Sequence, residues 1–419
     1  MLIDKVLHRE NMIEAHRRVL RNKGAPGIDG MNVDDLIANC QEHWPRIREE
    51  ILSGRYVPQS VRKVSIPKPG GGTRMLGIPS VMDRLIQQAL SQVLTPIYDP
   101  TFSDESFGFR PGRSTHDAVR RAREHIAAGY RWVVDLDLEK FFDQVNHDIL
   151  MARVARRVSD KRVLLLIRRF LQAGIMEGGV VSARVEGVPQ GGPLSPLLSN
   201  ILLDELDKEL ERRGHRFVRY ADDTNVYIKS QKAGERVMGS LERFLSKRLR
   251  LKINRTKSAV ARPWKRQFLG YSVTSNREPR LKVSPKAVKR LKKKLRPIFR
   301  RARGNNLQTT VKALNPKLQG WIVYYRLATV TGIFEQLDSW IRRKFRVVIW
   351  RHWKKPRTRF EELMKRGVNR SKAARAAWGK DGPWQSAAGS AINYAVPNKD
   401  LRTLGLLSFA DKHRLLASL

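Results

Sequence analysis

The chain has 419 residues, and its 82 lysines and arginines outnumber 40 aspartates and glutamates, giving a formal net charge of +42. Because so many positive charges repel one another unless a polyanion neutralises them, the composition predicts a nucleic-acid partner. The single cysteine, Cys40, excludes a disulfide framework and a cysteine-based zinc site. No apolar run approaches the roughly 20 residues that span a membrane, and the N-terminus carries no signal-peptide stretch, so we expect a cytoplasmic protein without a membrane partner.

The first part of the chain predicts short helices and then a hairpin. Residues 1–60 have amphipathic helical patterns that break at the turn-rich loop GAPGIDG, 24–30. Residues 61–79 alternate apolar and polar side chains around a glycine-rich centre, which predicts a β-hairpin with its turn at 69–72. Residues 80–98 have a helical pattern.

Three later segments predict strands. RWVVDLDL at 131–138 is a short β-rich run, and a helix is expected to follow from about His147. RFVRYADDTNVYIKS at 216–230 has β-branched and aromatic flanks around a polar tip, which predicts a second hairpin. FLGYSVT at 268–274 is a further predicted strand.

A strongly basic helix is expected after these strands. Residues 281–303 contain eleven lysines and arginines and no acid, and Ser284-Pro285 is a favoured helix start. A narrow apolar stripe follows, made of Val288, Leu291, Leu295 and Phe299. The pattern fits either a solvated helix or a nucleic-acid-binding one, and the lack of balancing acids favours the second. This shift in composition predicts a domain boundary near 277–283.

Acidic residues on two predicted strands are the main candidates for chemistry. Asp135 and Asp137 end the first run, and Asp222 and Asp223 occupy the tip of the second hairpin. Neighbouring carboxylates beside a buried strand repel unless a cation joins them, and oxygen ligands of this kind suit Mg²⁺. Either pair alone is commonly a solvated turn or the polar face of a strand. Their combination predicts a site for two Mg²⁺ ions about 4 Å apart, an arrangement that promotes nucleotidyl transfer.

The sequence resembles the reverse transcriptases encoded by bacterial group II introns over residues 20–275, with the motifs in the family's order. The matching motifs are GAPGIDG (24–30), IPKPGGGTRMLGIP (66–79), DESFGFRPGRSTHDA (104–118), VVDLDLEKFFDQVNHD (133–148), GVPQGGPLSPLLSN (187–200), YADD (220–223) and FLGY (268–271).

The resemblance implies an α+β right-hand polymerase: fingers and palm with antiparallel sheet, an α-helical thumb and a small basic C-terminal domain. The implied domains are an N-terminal extension (1–60), reverse transcriptase fingers and palm (61–277), a thumb or maturase domain (278–366) and a basic DNA- or RNA-binding region (367–419).

The resemblance also implies roles for the carboxylates. Asp137, rather than Asp135, takes the position of the first metal ligand, with the Leu138 carbonyl as an extra ligand. Asp222 takes the position of the second shared ligand, and Asp223 is auxiliary. The cofactor implied is a pair of Mg²⁺ ions.

Four further residues are implied in dNTP binding. Phe142 lies where the family has an aromatic residue beneath the incoming sugar, and a ring there leaves no room for a 2′-hydroxyl. Its alternative role is packing against Phe141. Viral RNA-dependent RNA polymerases place polar groups at this position, which argues against that class. Lys68 and Arg74, on opposite arms of the fingers hairpin, suit the triphosphate, although both also fit ordinary surface charge, and Gln190 resembles the family's contact to the dNTP.

The resemblance assigns Arg110 and Arg113 to phosphates of the primer or template, with surface charge as the alternative. The sequence departs from the family after the aspartate pair. It has Thr224 and Asn225 where many relatives carry Phe, Cys or another bulky residue. We expect this departure to affect rate or fidelity rather than the metal ligands.

The C-terminal third resembles the maturase segment of the same family at LNPKLQGWIVYYRLA, 314–328. The aromatic residues of this region, at helical spacing, favour core packing over RNA stacking; they are Trp321, Tyr324, Tyr325, Trp340, Trp350 and Trp353. Basic residues that interleave with aromatic ones nevertheless suit RNA binding. The predicted nucleic-acid contacts of the region are Lys289, Lys292, Lys293, Arg296, Arg342, Arg343 and Lys344.

The implied function is RNA-directed DNA polymerase activity on an RNA template with a DNA primer and dNTPs, together with group II intron RNA binding and splicing assistance, in a bacterial cytoplasm. Since no cysteine follows Cys40, we expect no endonuclease domain of the kind in longer members, as in class C introns. Two alternatives stay open: a splicing cofactor without polymerase activity, which the retained aspartates disfavour, and a free-standing relative recruited to DNA repair. The sequence does not predict the oligomeric state.

Overall fold

The computed structural model describes residues 1–67, 72–177, 180–182, 184–304 and 306–418. The chain folds into two compact units, 1–266 and 267–419. Within the described residues, no helix is both long and apolar enough to cross a membrane.

The first unit contains both helices and strands. Its helices are α1 (Leu2–Val6), α2 (Arg9–Asn22), α3 (Leu36–Leu52), α4 (Val81–Tyr98), α5 (Thr115–Ala127), α6 (His147–Val154), α7 (Lys161–Gln172), α8 (Ser195–Arg212) and α9 (Gln231–Phe244). Its strands are β1 (Val61–Pro67), β2 (Thr73–Ile78), β3 (Trp132–Leu136), β4 (Ile175–Glu177), β5 (Val180–Ser182), β6 (Arg216–Tyr220), β7 (Asp223–Ile228) and β8 (Ala259–Ala261).

The strands of the first unit form two sheets. The fingers sheet has the order β2-β1-β4-β5, and the palm sheet has the order β6-β7-β3-β8. β1 and β2 are antiparallel, as are β6 and β7, which confirms the strand pairing of both predicted hairpins. The predicted turn of the first hairpin at 69–72 lies, except for Gly72, outside the described residues. β3 pairs with β7 from Trp132–Ile228 to Leu136–Thr224. This register brings the end of β3 beside the tip of the second hairpin.

Helices cover both faces of the palm sheet. Because successive side chains of a strand point to opposite faces, Arg219 of β6 shares a face with Val226 of β7, and Tyr227 lies on the other. The first face packs on α8 and α9, where Asp207 binds Arg219. The second packs on α5, whose His125 ring lies 5.3 Å from that of Tyr227. Burial on both faces explains why β7 is almost continuously buried.

The second unit is mainly helical. Its strands are β9 (Tyr271–Val273) and β10 (Leu281–Val283), and its helices are α10 (Pro285–Arg301), α11 (Leu307–Tyr324), α12 (Gly332–His352), α13 (Pro356–Lys365), α14 (Arg370–Trp378), α15 (Pro383–Ser386), α16 (Ser390–Ala395), α17 (Asn398–Thr403) and α18 (Phe409–Ala417). The predicted basic helix is confirmed: Ser284 caps α10 by accepting a hydrogen bond from the Ala287 amide. Leu291, Leu295 and Phe299 bury its apolar stripe.

The division between the units differs from the predicted boundary near 277–283. It falls after Arg266, because β9 and β10 pair with each other across the residues where the boundary was expected. The segment 367–419 also belongs to the second unit instead of standing apart. Asp338 of α12 shows why, since it accepts hydrogen bonds from the amides of Phe409 (2.8 Å) and Ala410 (3.1 Å) at the start of α18.

Candidate active site

A two-residue turn presents the aspartate pair at the tip of the β6–β7 hairpin. Tyr220 pairs with Asp223, leaving Ala221 and Asp222 as the turn. Ala221 has a φ of +57°, a left-handed conformation that costs a residue with a side chain about 1–3 kcal/mol. Gly108 lies so close that a Cβ on it would come 2.2 Å from the Ala221 amide nitrogen. The surrounding structure therefore holds this turn in a strained conformation.

Asp137 follows β3 and is fixed by a loop that comes much later in the chain. Its carbonyl accepts from the Asn254 amide at 2.8 Å, and its amide donates to Ser258 Oγ at 2.9 Å. Lys257 Nζ lies 3.2 and 3.3 Å from the two carboxylate oxygens of Asp137. Extending the β3–β7 register by one residue beyond Leu136–Thr224 places Asp137 beside Asp223.

Asp135 has a different environment from Asp137. Arg266 Nε donates to Asp135 Oδ2 at 2.7 Å, and the pair is largely shielded from solvent. Both aspartates thus have a cationic partner, Arg266 at Asp135 and Lys257 at Asp137, and the choice of Asp137 as the metal ligand stays a prediction.

The turn carboxylates are electrostatically unfavourable in the protein alone. Burial raises the pKa of Asp222, and the charge of Asp137 raises it further, while Arg74 and Lys257 oppose the shift. Although part of Asp223 reaches solvent, the protein packed around its carboxylate raises its pKa to about 7, helped by Asp222, Asp135 and Asp137. Both shifts mean that burial and the neighbouring carboxylates disfavour the ionised form of the cluster.

The donor set fits Mg²⁺ in chemistry but is not closed around an ion. Within the described ranges, no three acidic, histidine or cysteine side chains converge closely enough to hold a metal. Lys257 at Asp137 supplies one positive charge instead. The predicted extra ligand is the Leu138 carbonyl. The bridge between Leu138 and Ile253 is bonded through Asp137 O and Glu139 N and does not use this carbonyl.

The predicted dNTP residues fall on two elements that touch. Arg74 is exposed on β2. Its charge opposes the rise in the pKa of Asp222, so the guanidinium acts electrostatically on the turn. The carbonyl of Gln190 accepts a hydrogen bond from Gly77 of the same strand at 3.0 Å. The predicted triphosphate contact Lys68 lies outside the described residues.

Phe142 is half-buried and packs edge-on against Phe141, with ring centroids 5.1 Å apart. The Phe142 carbonyl accepts from the Val188 amide at 2.6 Å, which joins this segment to the loop that carries Gln190. Packing and sugar selection are therefore compatible roles, and the second stays a prediction.

The predicted phosphate contact Arg110 is corrected by its environment. Its side chain is 4% exposed. Its guanidinium donates to Asp99 Oδ1 (2.7 Å), to the Asp99 carbonyl (2.8 Å) and to the Ser103 and Ser106 carbonyls. Arg110 thus secures the 99–110 segment. Arg113 is more accessible and binds Asp104, so its contact with nucleic acid stays a prediction.

Thr224 and Asn225 lie within β7 and are buried, 2% and 4% exposed. Asn225 is opposite Asp135 in the β3–β7 register. The family departure at these positions therefore changes the interior of the palm sheet beside the carboxylates.

In the second unit, the basic face of α10 is open while α12 is largely packed. Lys289, Lys293 and Arg296 are exposed, and Lys292 is half-buried. The predicted packing of Trp321 and Tyr325 is confirmed, with ring centroids 4.5 Å apart. In the same core, Gly270 of the FLGY motif lies against the Tyr325 hydroxyl.

Arg343 and Lys344 have partners within the second unit, and their contact with nucleic acid stays a prediction. Arg343 donates to the Trp384 carbonyl at 3.0 and 2.8 Å, and its guanidinium lies 4.0 Å from the centre of the Trp384 ring. Lys344 lies over the same ring and over Trp340. These residues join α12 to α15, and Arg342 is half-buried beside them.

Sequence patterns did not indicate Lys257, Arg266, Arg219 or Asp207. Lys257 and Arg266 bind aspartates that lie 120 and 131 positions away, and Arg219 and Asp207, 12 positions apart, lie on different elements. A lysine among 82 basic residues carries no distinguishing signal.

Comparison with known proteins agrees with this geometry. Residues 66–273 match the family model for reverse transcriptase (RNA-dependent DNA polymerase), which gives the class of the first unit. Residues 288–367 match the maturase-specific domain of group II introns. The chain belongs to the family of group II intron-encoded reverse transcriptases with a maturase domain, and the resemblance inferred from the motifs is confirmed.

Two curated relatives and one solved structure illustrate the similarity. Protein YkfC of Escherichia coli K12 is 42% identical over 51% of this chain and 57% of its own length. The group II intron-encoded protein LtrA of Lactococcus lactis is 30% identical over 66% of this chain and 57% of its own length. The chain thus spans little more than half of each. A chain of the partial Cas6-RT-Cas1--Cas2 complex is 24% identical over 59% of this chain and 43% of its own, with a TM-score of 0.39.

Proposed function

We propose that this chain is an RNA-directed DNA polymerase, a nucleotidyltransferase that extends a DNA primer on an RNA template with dNTPs. The observation that carries the proposal is the position of Asp137 beside Asp223, next to the strained Ala221–Asp222 turn and within the segment that matches the reverse transcriptase family. The raised pKa of Asp222, caused by burial and by the charge of Asp137, marks a site that gains from a bound cation.

Asp137, Asp222 and Asp223 would hold two Mg²⁺ ions, with the Leu138 carbonyl as an additional oxygen ligand. Bound there, the ions would activate the primer 3′-hydroxyl and stabilise the leaving pyrophosphate. Arg74 provides a planar donor for the triphosphate from β2. Phe142 limits the space beneath the sugar and thereby excludes a 2′-hydroxyl.

We further propose that the second unit binds group II intron RNA and assists its splicing. The match of residues 288–367 to the maturase domain supports this function. So does the exposed cationic face of α10, formed by Lys289, Lys293 and Arg296, since counterions released from RNA favour binding to such a face.

Primer extension on an RNA template tests the polymerase proposal. We expect Asp137→Ala and Asp222→Ala to lower the rate by roughly 10³-fold or more, because each removes metal-centred stabilisation worth several kcal/mol. Asp148→Ala removes an exposed aspartate, paired with Arg168, and serves as the matched control. Extension near the wild-type rate in Asp222→Ala would overturn the assignment.

A further inference from the structure

Arg219 is a charged side chain buried completely inside the first unit. It lies on β6, two residues before Ala221, and both it and its partner Asp207 on α8 are 0% exposed. Arg219 Nε donates to Asp207 Oδ1 at 2.7 Å, and Nη2 donates to Asp207 Oδ2 at 2.5 Å. In this bidentate geometry, one carboxylate accepts hydrogen bonds from both the Nε and the Nη2 of the guanidinium.

The other side of the guanidinium reaches the turn that carries Asp222. Arg219 Nη1 donates to the Ala221 carbonyl at 2.9 Å and to Asn200 Oδ1 at 3.0 Å. The Ala221 carbonyl belongs to the peptide group that leads into Asp222. Its orientation therefore helps to set the direction of the Asp222 side chain.

A neighbouring loop closes on the same turn. Asn200 Nδ2 donates to the Gly108 carbonyl at 2.8 Å, and Gly108 is the residue whose absent Cβ allows contact with Ala221. The backbone of Arg219 is bonded on the same side, since its amide donates to the Glu105 carbonyl at 2.9 Å and its carbonyl accepts from the Phe107 amide at 2.9 Å. Arg219, a residue of β6, is thus bonded both to the loop at 105–107 and to the Ala221–Asp222 turn.

A buried ion pair is a costly way to fill a core, because well-packed apolar residues of similar volume are often at least as stable. What an apolar pair cannot provide is a donor for the Ala221 carbonyl. A left-handed alanine persists only where the surrounding structure holds it. The position of Arg219 is therefore better explained by the turn than by the core.

We propose that Arg219, itself oriented by Asp207 and Asn200, is a positioning residue that fixes the strained Ala221 turn and so aims the Asp222 carboxylate at the metal. The inference rests on the proposed function, in which Asp222 is a metal ligand. Arg219 touches neither substrate nor metal and acts only through the turn.

The double variant Arg219→Met with Asp207→Leu tests this role, since it replaces the ion pair by apolar residues. We expect it to stay folded, with a wild-type Kd for template–primer. The affinity of the nucleic-acid-free protein for Mn²⁺, measured by electron paramagnetic resonance, should fall roughly 10- to 100-fold, as for other partners that orient a metal ligand. The kcat for single-nucleotide addition should fall with it.

The matched control is Arg153→Met with Glu205→Leu, which removes another arginine–acid pair, between α6 and α8, that does not contact the turn. It should keep the wild-type Mn²⁺ affinity. A folded Arg219→Met, Asp207→Leu variant with unchanged Mn²⁺ affinity and kcat would show that the network only supports the core.

If that double variant does not fold, Arg219→Lys decides the matter. Lysine retains the positive charge for Asp207 but, as a point donor, cannot also hold the Ala221 carbonyl in the guanidinium geometry. Loss of Mn²⁺ affinity in folded Arg219→Lys supports the inference, and wild-type affinity overturns it. Primer extension by the wild-type chain reports separately on the proposed function, because Mn²⁺ binding does not require catalysis.

Discussion

Lys257 Nζ lies within 3.2–3.3 Å of both carboxylate oxygens of Asp137, the oxygens that we propose bind the metal. The ammonium group and a divalent cation would compete for the same oxygens. Lys257→Met should therefore tighten Mn²⁺ binding to the nucleic-acid-free protein, by up to about fivefold, since exposed ion pairs contribute ~0.2–1 kcal/mol. Titration calorimetry measures the change.

Lys252→Met is the control for this effect, because Lys252 is an exposed lysine of the same segment with no ion pair to Asp137. Weaker Mn²⁺ binding in Lys257→Met would mean that Lys257 helps to build the site instead of competing for it.

Asp223 should make the metal-free protein less stable as the pH rises. Its pKa is about 7 in the folded chain against an ordinary value of 3.8. Between these values the folded state keeps a proton that the unfolded chain has released, so the free energy of unfolding falls with increasing pH. In EDTA, the Tm of wild type relative to Asp223→Asn should drop between pH 5 and pH 8. Mg²⁺ should reduce the drop, and a pH-independent difference would contradict the raised pKa.

Phe142→Ala should admit ribonucleotides while retaining dNTP incorporation. Truncating the ring makes space for one hydroxyl and leaves the carboxylates untouched. The measurement is kcat/KM for each dNTP and its rNTP counterpart. Phe141→Leu, which disturbs the same aromatic pair from its buried side, should lower stability without changing the sugar preference. An unchanged preference in Phe142→Ala would assign Phe142 to packing.

Neutralising Lys289, Lys293 and Arg296 to glutamine should weaken RNA binding regardless of sequence. It should also flatten the dependence of log Kd on log salt, by roughly one unit for each phosphate that the protein no longer neutralises. The helix should persist, because the buried side of α10 is unchanged.

Neutralising the exposed residues Lys399, Arg402 and Arg414 is the control for net charge in the same unit. An equal loss of affinity there would mean that total charge, and not the face of α10, determines binding.

Arg343→Ala should destabilise the second unit, because it removes the bonds between α12 and the Trp384 carbonyl. We expect a loss of about 1–3 kcal/mol in the free energy of unfolding. Trp384→Ala keeps that carbonyl but removes the ring beneath the Arg343 guanidinium, so it should cost less, and the double variant should cost less than the sum of the two. Additive losses would show that the two residues act independently.

Arg342→Gln is a better test of RNA binding by α12 than a substitution of Arg343, because Arg343 also holds α12 to the Trp384 carbonyl. If the maturase proposal holds, splicing assistance should fall while extension on a short generic primer–template stays nearly intact. Equal loss of both activities would count against a separate RNA-binding role.

Sequence patterns predicted the elements whose signals are local. The β6–β7 hairpin and the start of α10 follow from a polar tip between β-branched flanks and from Ser284-Pro285. The candidate ligands Asp137 and Asp222 came from motif order. Their environment could not be predicted, because it depends on contacts between distant segments.

Arg110 illustrates the limit. A basic residue in a polymerase-like motif is expected to contact phosphate, but the half-buried carboxylate of Asp99 and backbone carbonyls from 99–106 satisfy it instead. The spacing of the aromatic residues likewise fitted either core packing or RNA stacking. Trp350 and Trp353 are buried, which supports core packing for these two.

Asp338 limits where the second unit can be divided when chimeric proteins are made from two relatives. Its carboxylate caps α18 from within α12, and Ser408 Oγ donates to it at 2.8 Å. A chimera joined near residue 366 would separate this acid from the helix start that it satisfies, leaving a buried charge on one side and unbonded amides on the other. Grafts should therefore carry 267–419 as one block.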